Sequence, residues 1–124
     1  MIAFILLHVI ALTLTILIEL SVALITGYRD RKTLKVVVLA QIVTNPIVVL
    51  ISNLCILYTA LPVWAFHTPL EIAALCAEWM IYRKFTSEIH RPFLFSLAAN
   101  ASSYIIGVVL SYLGVFNRIW FMLL

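Results

Sequence analysis

Three carboxylates of this chain stand where a carboxylate is costly. Glu19, Glu71 and Glu78 fall inside long apolar runs, whereas Asp30 and Glu88, the other two acids, lie in short charged loops. An ionised side chain at mid-bilayer costs about 2.5–3.5 kcal/mol even on the lenient insertion scale, so such residues usually face a bundle interior or a wet cavity. Each apolar run also carries one polar or small stripe. The first has His8, Thr15, Glu19 and Thr26, and the second has Gln41, Asn45, Ser52 and Thr59. The third has Glu71, Ala74, Glu78 and Tyr82, and the fourth has Ser96, Asn100, Ser103, Gly107, Ser111 and Gly114. Residues three or four apart share a helix face, so four one-sided helices imply one shared interior. The predicted binding set is Glu19, Gln41, Asn45, Glu71, Glu78 and Asn100.

The chemistry of that set is defined by type. Carboxylates with amide carbonyls are hard oxygen ligands, suited to a proton, Na⁺, Mg²⁺, Ca²⁺ or Mn²⁺, or to a cationic or hydroxyl-rich organic solute. Burial favours the neutral carboxyl and a nearby cation favours the ionised one, so such groups can exchange a proton for a cargo. Counted at about 1.5 Å per residue from the charged loops, Glu19, Asn45, Asn100 and Glu71 should lie about 13–16 Å deep, near the midplane. Glu78, Gln41 and Ser96 should form a second rung about 6–9 Å deep. The competing structural reading makes the glutamates protonated interhelical glue with Asn45 and Asn100, and the Ser103-Gly107-Ser111 ladder a close helix contact.

Other polar positions carry weaker signals. His67 and Glu71, at i and i+4, are the weak metal candidates. Thr44-Asn45-Pro46 is the best place for a broken helix, because Pro46 lacks the N–H that would hold a carbonyl. Asn100-Ala101-Ser102 matches the glycosylation triplet but falls at mid-bilayer, beyond a transferase. Cys55 and Cys76 have no CxxC spacing and read as small packing residues.

The elements that must position these residues follow from composition. Of 124 residues, 65% are hydrophobic and 10% charged, whereas a soluble domain needs about a quarter charged. The expected fold is therefore an all-α integral membrane protein, a single domain over 1–124 with four transmembrane helices at about 2–27, 34–60, 63–82 and 93–115. Pro46 invites a kink in the second. Thr68-Pro69-Leu70-Glu71 reads as a helix start, which would leave the third span only about 22 Å of regular helix. An offset of fifty-five positions relates Gln41 to Ser96, Asn45 to Asn100 and Ser52 to Gly107, a faint repeat that suggests two parallel-related hairpins.

Orientation follows from the bases. Arg29, Arg31, Lys32 and Lys35 follow the first span and Arg83, Lys84 and Arg91 the third, so seven of eight basic residues share one side. By the positive-inside rule those loops are cytoplasmic, and both termini and the loop over 61–68 are outside, in a bacterial-type inner membrane. The N-terminus lacks the basic region of a signal peptide and is expected to stay as a mature helix. Asn117-Arg118-Ile119-Trp120-Phe121 reads as an outer interfacial anchor.

Absent motifs narrow the function. With three glycines there is no phosphate-binding loop, and HExxH, GxSxG and paired CxxC are missing, so no enzyme is expected. The bases form no long aromatic-studded face, so neither is a nucleic-acid partner. The expectation is a small transporter or channel-like protein that binds a small cation or polar solute, with no cofactor beyond a bound cation or proton. Besides the lipid bilayer, its expected partner is a second copy or another membrane subunit, because four helices barely enclose a pathway. The alternatives are a non-catalytic subunit of a larger complex and an intramembrane enzyme holding a metal or cofactor.

Overall fold

The computed structural model describes residues 2–115, 117 and 118. Ile119, Trp120 and Phe121 of the expected tail anchor lie outside the described residues. The chain forms four helices, α1 (Ile2–Ile25), α2 (Arg31–Tyr58), α3 (Val63–Phe85) and α4 (Pro92–Tyr112), and no strand among the described residues. By length and apolarity α1, α2 and α4 can cross a membrane. At 23 residues α3 is long enough too, rising about 34 Å, but Glu71, Glu78, Arg83 and Lys84 make it the least apolar.

The helix ends have local causes. Tyr28 N–H bonds the Ala23 carbonyl at 2.9 Å and Gly27 N–H the Leu24 carbonyl at 3.2 Å. This paired closure needs a left-handed residue, and Gly27 supplies it with φ of +94°. Asp30 then caps α2, its Oδ2 accepting from Thr33 N–H at 2.8 Å. That backbone N–H holds the Asp30 carboxyl below its ordinary value. Pro92 opens α4 at the first helical position, where a missing N–H costs nothing.

Several boundaries differ from the sequence expectation. α1 stops at Ile25 rather than 27, α2 starts at Arg31 rather than 34 and ends at Tyr58 rather than 60, and α4 covers Pro92–Tyr112 rather than 93–115. Helix α3 runs on to Phe85 rather than ending at 82. Thr68-Pro69 is not a helix start: α3 is already regular from Val63, and Pro69 sits inside it. Pro46 likewise sits inside an unbroken α2, so the break expected at Thr44-Asn45-Pro46 is absent. In hydrocarbon an unwound turn exposes several backbone groups, whereas proline forfeits one bond, so continuation is the cheaper course.

The four helices close a ring in chain order. Each packs on its two neighbours, α1 on α2 and α4, α3 on α2 and α4, and the diagonal pairs meet only through side chains. At the end carrying both charged loops the ring is filled. Ala23, Val37, Ala40, Tyr82, Ile89 and Phe95 form one buried cluster, with Tyr28 and Leu34 packed against it. The Phe95 ring meets Tyr28 and Tyr82 edge-on, at centroid separations of 5.5 and 5.2 Å. These three aromatics plug the loop end. Outward faces are mostly apolar, as with Leu17, Leu39, Ile72 and Ile105, and exposed Thr13 and Ser21 turn their hydroxyls back to their own helix carbonyls, which suits lipid rather than water as the surrounding solvent.

Candidate functional site

Above the aromatic plug the ring opens into a cavity of about 380 Å³. Its floor is Glu78, which is 1% exposed. Glu78 Oε1 accepts from Gln41 Nε2 at 2.8 Å and lies 2.9 Å from Thr44 Oγ1, both on α2. Glu78 Oε2 accepts from Asn100 Nδ2 on α4. One carboxylate thus ties three helices together, with donors on either side. Thr44 Oγ1 is also 2.9 Å from the Ala40 carbonyl. A hydroxyl has a single proton, so it serves Glu78 or Ala40 at one time. When it turns to Ala40, the contact with Glu78 requires the carboxyl's own proton. The floor can therefore hold hydrogen-bond arrangements for both the ionised and the neutral acid.

The cavity walls are polar on all four helices. Thr15 of α1, Asn45, Ser52 and Asn53 of α2, and Ser103 of α4 line it, and His8, His67, Glu71 and Tyr104 stand toward the end away from the charged loops. Ser52 Oγ is buried with no hydrogen-bond partner. The walls and floor offer two carboxylates and no Lys or Arg. His67 Nδ1 lies 3.6 Å from Glu71 Oε1, each side chain 40% exposed. No third His, Cys, Asp or Glu among the described residues joins that pair to complete a metal site.

Glu19 lies one level below. It is fully buried on α1, outside the cavity lining, with Oε2 3.4 Å from Tyr82 Oη and Oε1 without a partner. Gln41 and Glu78 stand next to it. The Glu19–Tyr82 contact crosses the ring from α1 to α3 and marks where the cavity ends and the plug begins.

Of the six residues expected at the site, Gln41, Asn45, Glu71, Glu78 and Asn100 line the cavity and Glu19 sits under its floor. Of the two expected rungs, Glu78 and Gln41 stay together, but Asn100 of the other rung joins them and Glu19 lies outside the cavity lining. Tyr82, the last residue of the expected third span, is fully buried, and α3 continues three residues further, about 4.5 Å. Glu78 thereby rises to the level of Asn100, and Glu71 moves up toward the mouth. Because α1 ends at Ile25, Glu19 drops to about 9 Å from its helix end. Two side chains outside the expected set also touch the buried acids, Thr44 at Glu78 and Tyr82, a member of the third stripe, at Glu19. Thr44 is i+3 from Gln41 and so shares its helix face, but the adjacent Asn45-Pro46 carries a local break signal that masks this spacing. At the offset of fifty-five, Glu78 corresponds to Ala23, so whatever relates the hairpins, the site is one-sided.

Fold and site together define an all-α membrane bundle with a polar, acid-floored cavity closed at one end. No protein-family profile, no curated protein and no solved structure matches the chain.

Proposed function

We propose that this protein binds a small cation or small polar solute in the cavity and moves it across the membrane, with Glu78 as the charge-bearing group. The observation that carries the reading is a buried carboxylate held by donors from two flanking helices at the closed end of a polar cavity. A midplane site reached from one side and plugged on the other is one of the two states that alternating access requires. With the charged loops cytoplasmic by the positive-inside rule, the open end faces outward and the Tyr28–Phe95–Tyr82 plug faces inward. Glu19, with Tyr82, is the second acid, placed to take up a proton or cargo when the plug opens. A bacterial-type inner membrane and assembly as a homo-oligomer fit this reading.

The test is flux. Purified protein in proteoliposomes is challenged with a panel of monovalent and divalent cations, amines and polyols under pH and metal gradients. Glu78→Gln is expected to abolish transport and Glu19→Gln to slow it at least tenfold, a barrier change of about 1.4 kcal/mol. Absence of flux across the whole panel, or unchanged flux in Glu78→Gln, overturns the assignment.

A further inference from the structure

The cavity is not walled off from the bilayer. A groove of about 800 Å³ runs between the outer halves of α3 and α4, and His67, Glu71, Asn100 and Tyr104 line both the groove and the polar cavity. The two spaces meet along that wall. Among the described residues, the hydrogen bonds and ring contacts joining α3 to α4 lie at Asn100 or nearer the charged-loop end, among them Asn100 to Glu78, Ser96 Oγ to the Leu75 carbonyl at 3.0 Å, and Trp79 against Phe93 at 5.8 Å. Beyond Asn100, among the described residues, no hydrogen bond or ring contact closes the seam.

The lips and the interior of this window differ in chemistry. Trp64, Ile72, Leu97 and Tyr104 on its rim are exposed and apolar or aromatic. Inside stands Glu71, its side chain 40% exposed, about 12 Å along α3 from Val63. His67 Nδ1 stands 3.6 Å from Glu71 Oε1, and a carboxylate still half-open to a groove that faces hydrocarbon favours a further cation or polar head over it. Charge selects the sign: the two linings hold Glu71 and Glu78 and no Lys or Arg. The Trp64 and Tyr104 rings at the rim add faces that attract ammonium groups.

We infer that the cargo is a membrane-partitioned cation, an amine or quaternary ammonium bearing an apolar tail. Its head sits between Glu71 and Glu78, and its tail passes out through the α3–α4 window into lipid. This rests on the cation-binding reading above and sharpens it to a substrate class. A head in the cavity and a tail in the groove also account for two joined spaces of opposite character. A bare ion would need neither the groove nor its apolar lips.

The test compares a tailed and a tailless probe on the full chain in nanodiscs, using labelled dodecyltrimethylammonium and labelled tetramethylammonium, with binding to empty discs subtracted. Ala101→Phe places a ring in the groove from an exposed position, where folding is least at risk. The expected result is that Ala101→Phe weakens dodecyltrimethylammonium about tenfold, equal to about 1.4 kcal/mol, and leaves tetramethylammonium within twofold. Retained binding of the short probe also shows that the variant is folded. Equal behaviour of both probes in Ala101→Phe overturns the window while leaving the cation site standing. A wild-type protein that binds neither probe overturns this inference, and the flux panel then decides whether any cargo reading survives. A wild-type dimer that buries Ala101 and binds only the short probe overturns it as well.

Discussion

The interaction between Glu78 and Asn100 offers the sharpest test of the site, because its strength can be worked out from what surrounds it. Asn100 Nδ2 bonds Glu78 across the α3–α4 seam and the Ser96 carbonyl within α4 at 2.9 Å, so only the first is lost with Glu78. Interhelical hydrogen bonds in membranes average about 0.6 kcal/mol and reach about 1.7. This one joins a carboxylate at 1% exposure and should fall in the upper half of that range, about 1–1.7 kcal/mol. Both side chains border an open cavity, so truncation enlarges an existing space and adds little sealed void. A double-mutant cycle of Glu78→Ala and Asn100→Ala, read by SDS unfolding of the reconstituted protein, should give that coupling. Glu78→Ala alone, which strips three partners, should cost about 2 kcal/mol. Glu71→Ala, losing a half-exposed pair 3.6 Å apart, should cost less than about 0.5 kcal/mol. Additivity of Glu78→Ala and Asn100→Ala within about 0.3 kcal/mol, or a larger loss for Glu71→Ala than for Glu78→Ala, refutes the geometry of the floor.

Three further outcomes follow from the same architecture. Glu19→Leu alone should destabilise the fold by about 1 kcal/mol in the same unfolding assay, because it strands the buried Tyr82 hydroxyl, whereas Glu19→Leu with Tyr82→Phe, which removes both partners and the unpaired Glu19 Oε1, should recover that loss; an equal or larger loss in the double variant would refute this account of the pair. In a background lacking Cys55 and Cys76, Ser103→Cys should react with an impermeant thiol reagent from the side of the uncharged loop alone, and Phe95→Ala should admit the reagent from the charged-loop side too. The Asp30 cap has its carboxyl held below the ordinary 3.8 by the Thr33 N–H, so its contribution to α2 is complete above that value and lost as pH falls through the lower one. Hydrogen exchange at the first turn of α2 should therefore quicken at acid pH in the wild type, while Asp30→Asn should remove most of that pH dependence.

Much of the fold was legible in particular residues. Thirteen charges in 124 residues, with seven bases in or beside the two turns at one end of the bundle, specify four helices and their alternation, because lipid leaves the backbone almost no other course. The stripes were also legible: Gln41 with Asn45, Glu71 with Glu78 and Asn100 with Ser103 fall on cavity-lining faces as their spacing requires. The misreadings share a cause. Thr68-Pro69 carries a good local start signal, and Pro46 a good local break signal, but local signals are scaled to water. Inside a bilayer the cost of unpaired backbone exceeds them, and both prolines were absorbed into continuous helices.

Sequence alone determined the class of this protein, the helices and the list of acids that had to be sheltered, since each follows from hydrophobicity and spacing along one chain. Only the tertiary structure decided which acid is served by which donors. Glu78 received Gln41, Thr44 and Asn100, while Glu19 was left beneath it with Tyr82 and one oxygen unpaired. That choice depends on the axial register between helices, and a shift of one turn, about 5.4 Å, exchanges the partners. At the plug the Phe95 ring packs edge-on against Tyr28 and Tyr82, a contact among positions far apart in the chain that no single stretch of sequence encodes.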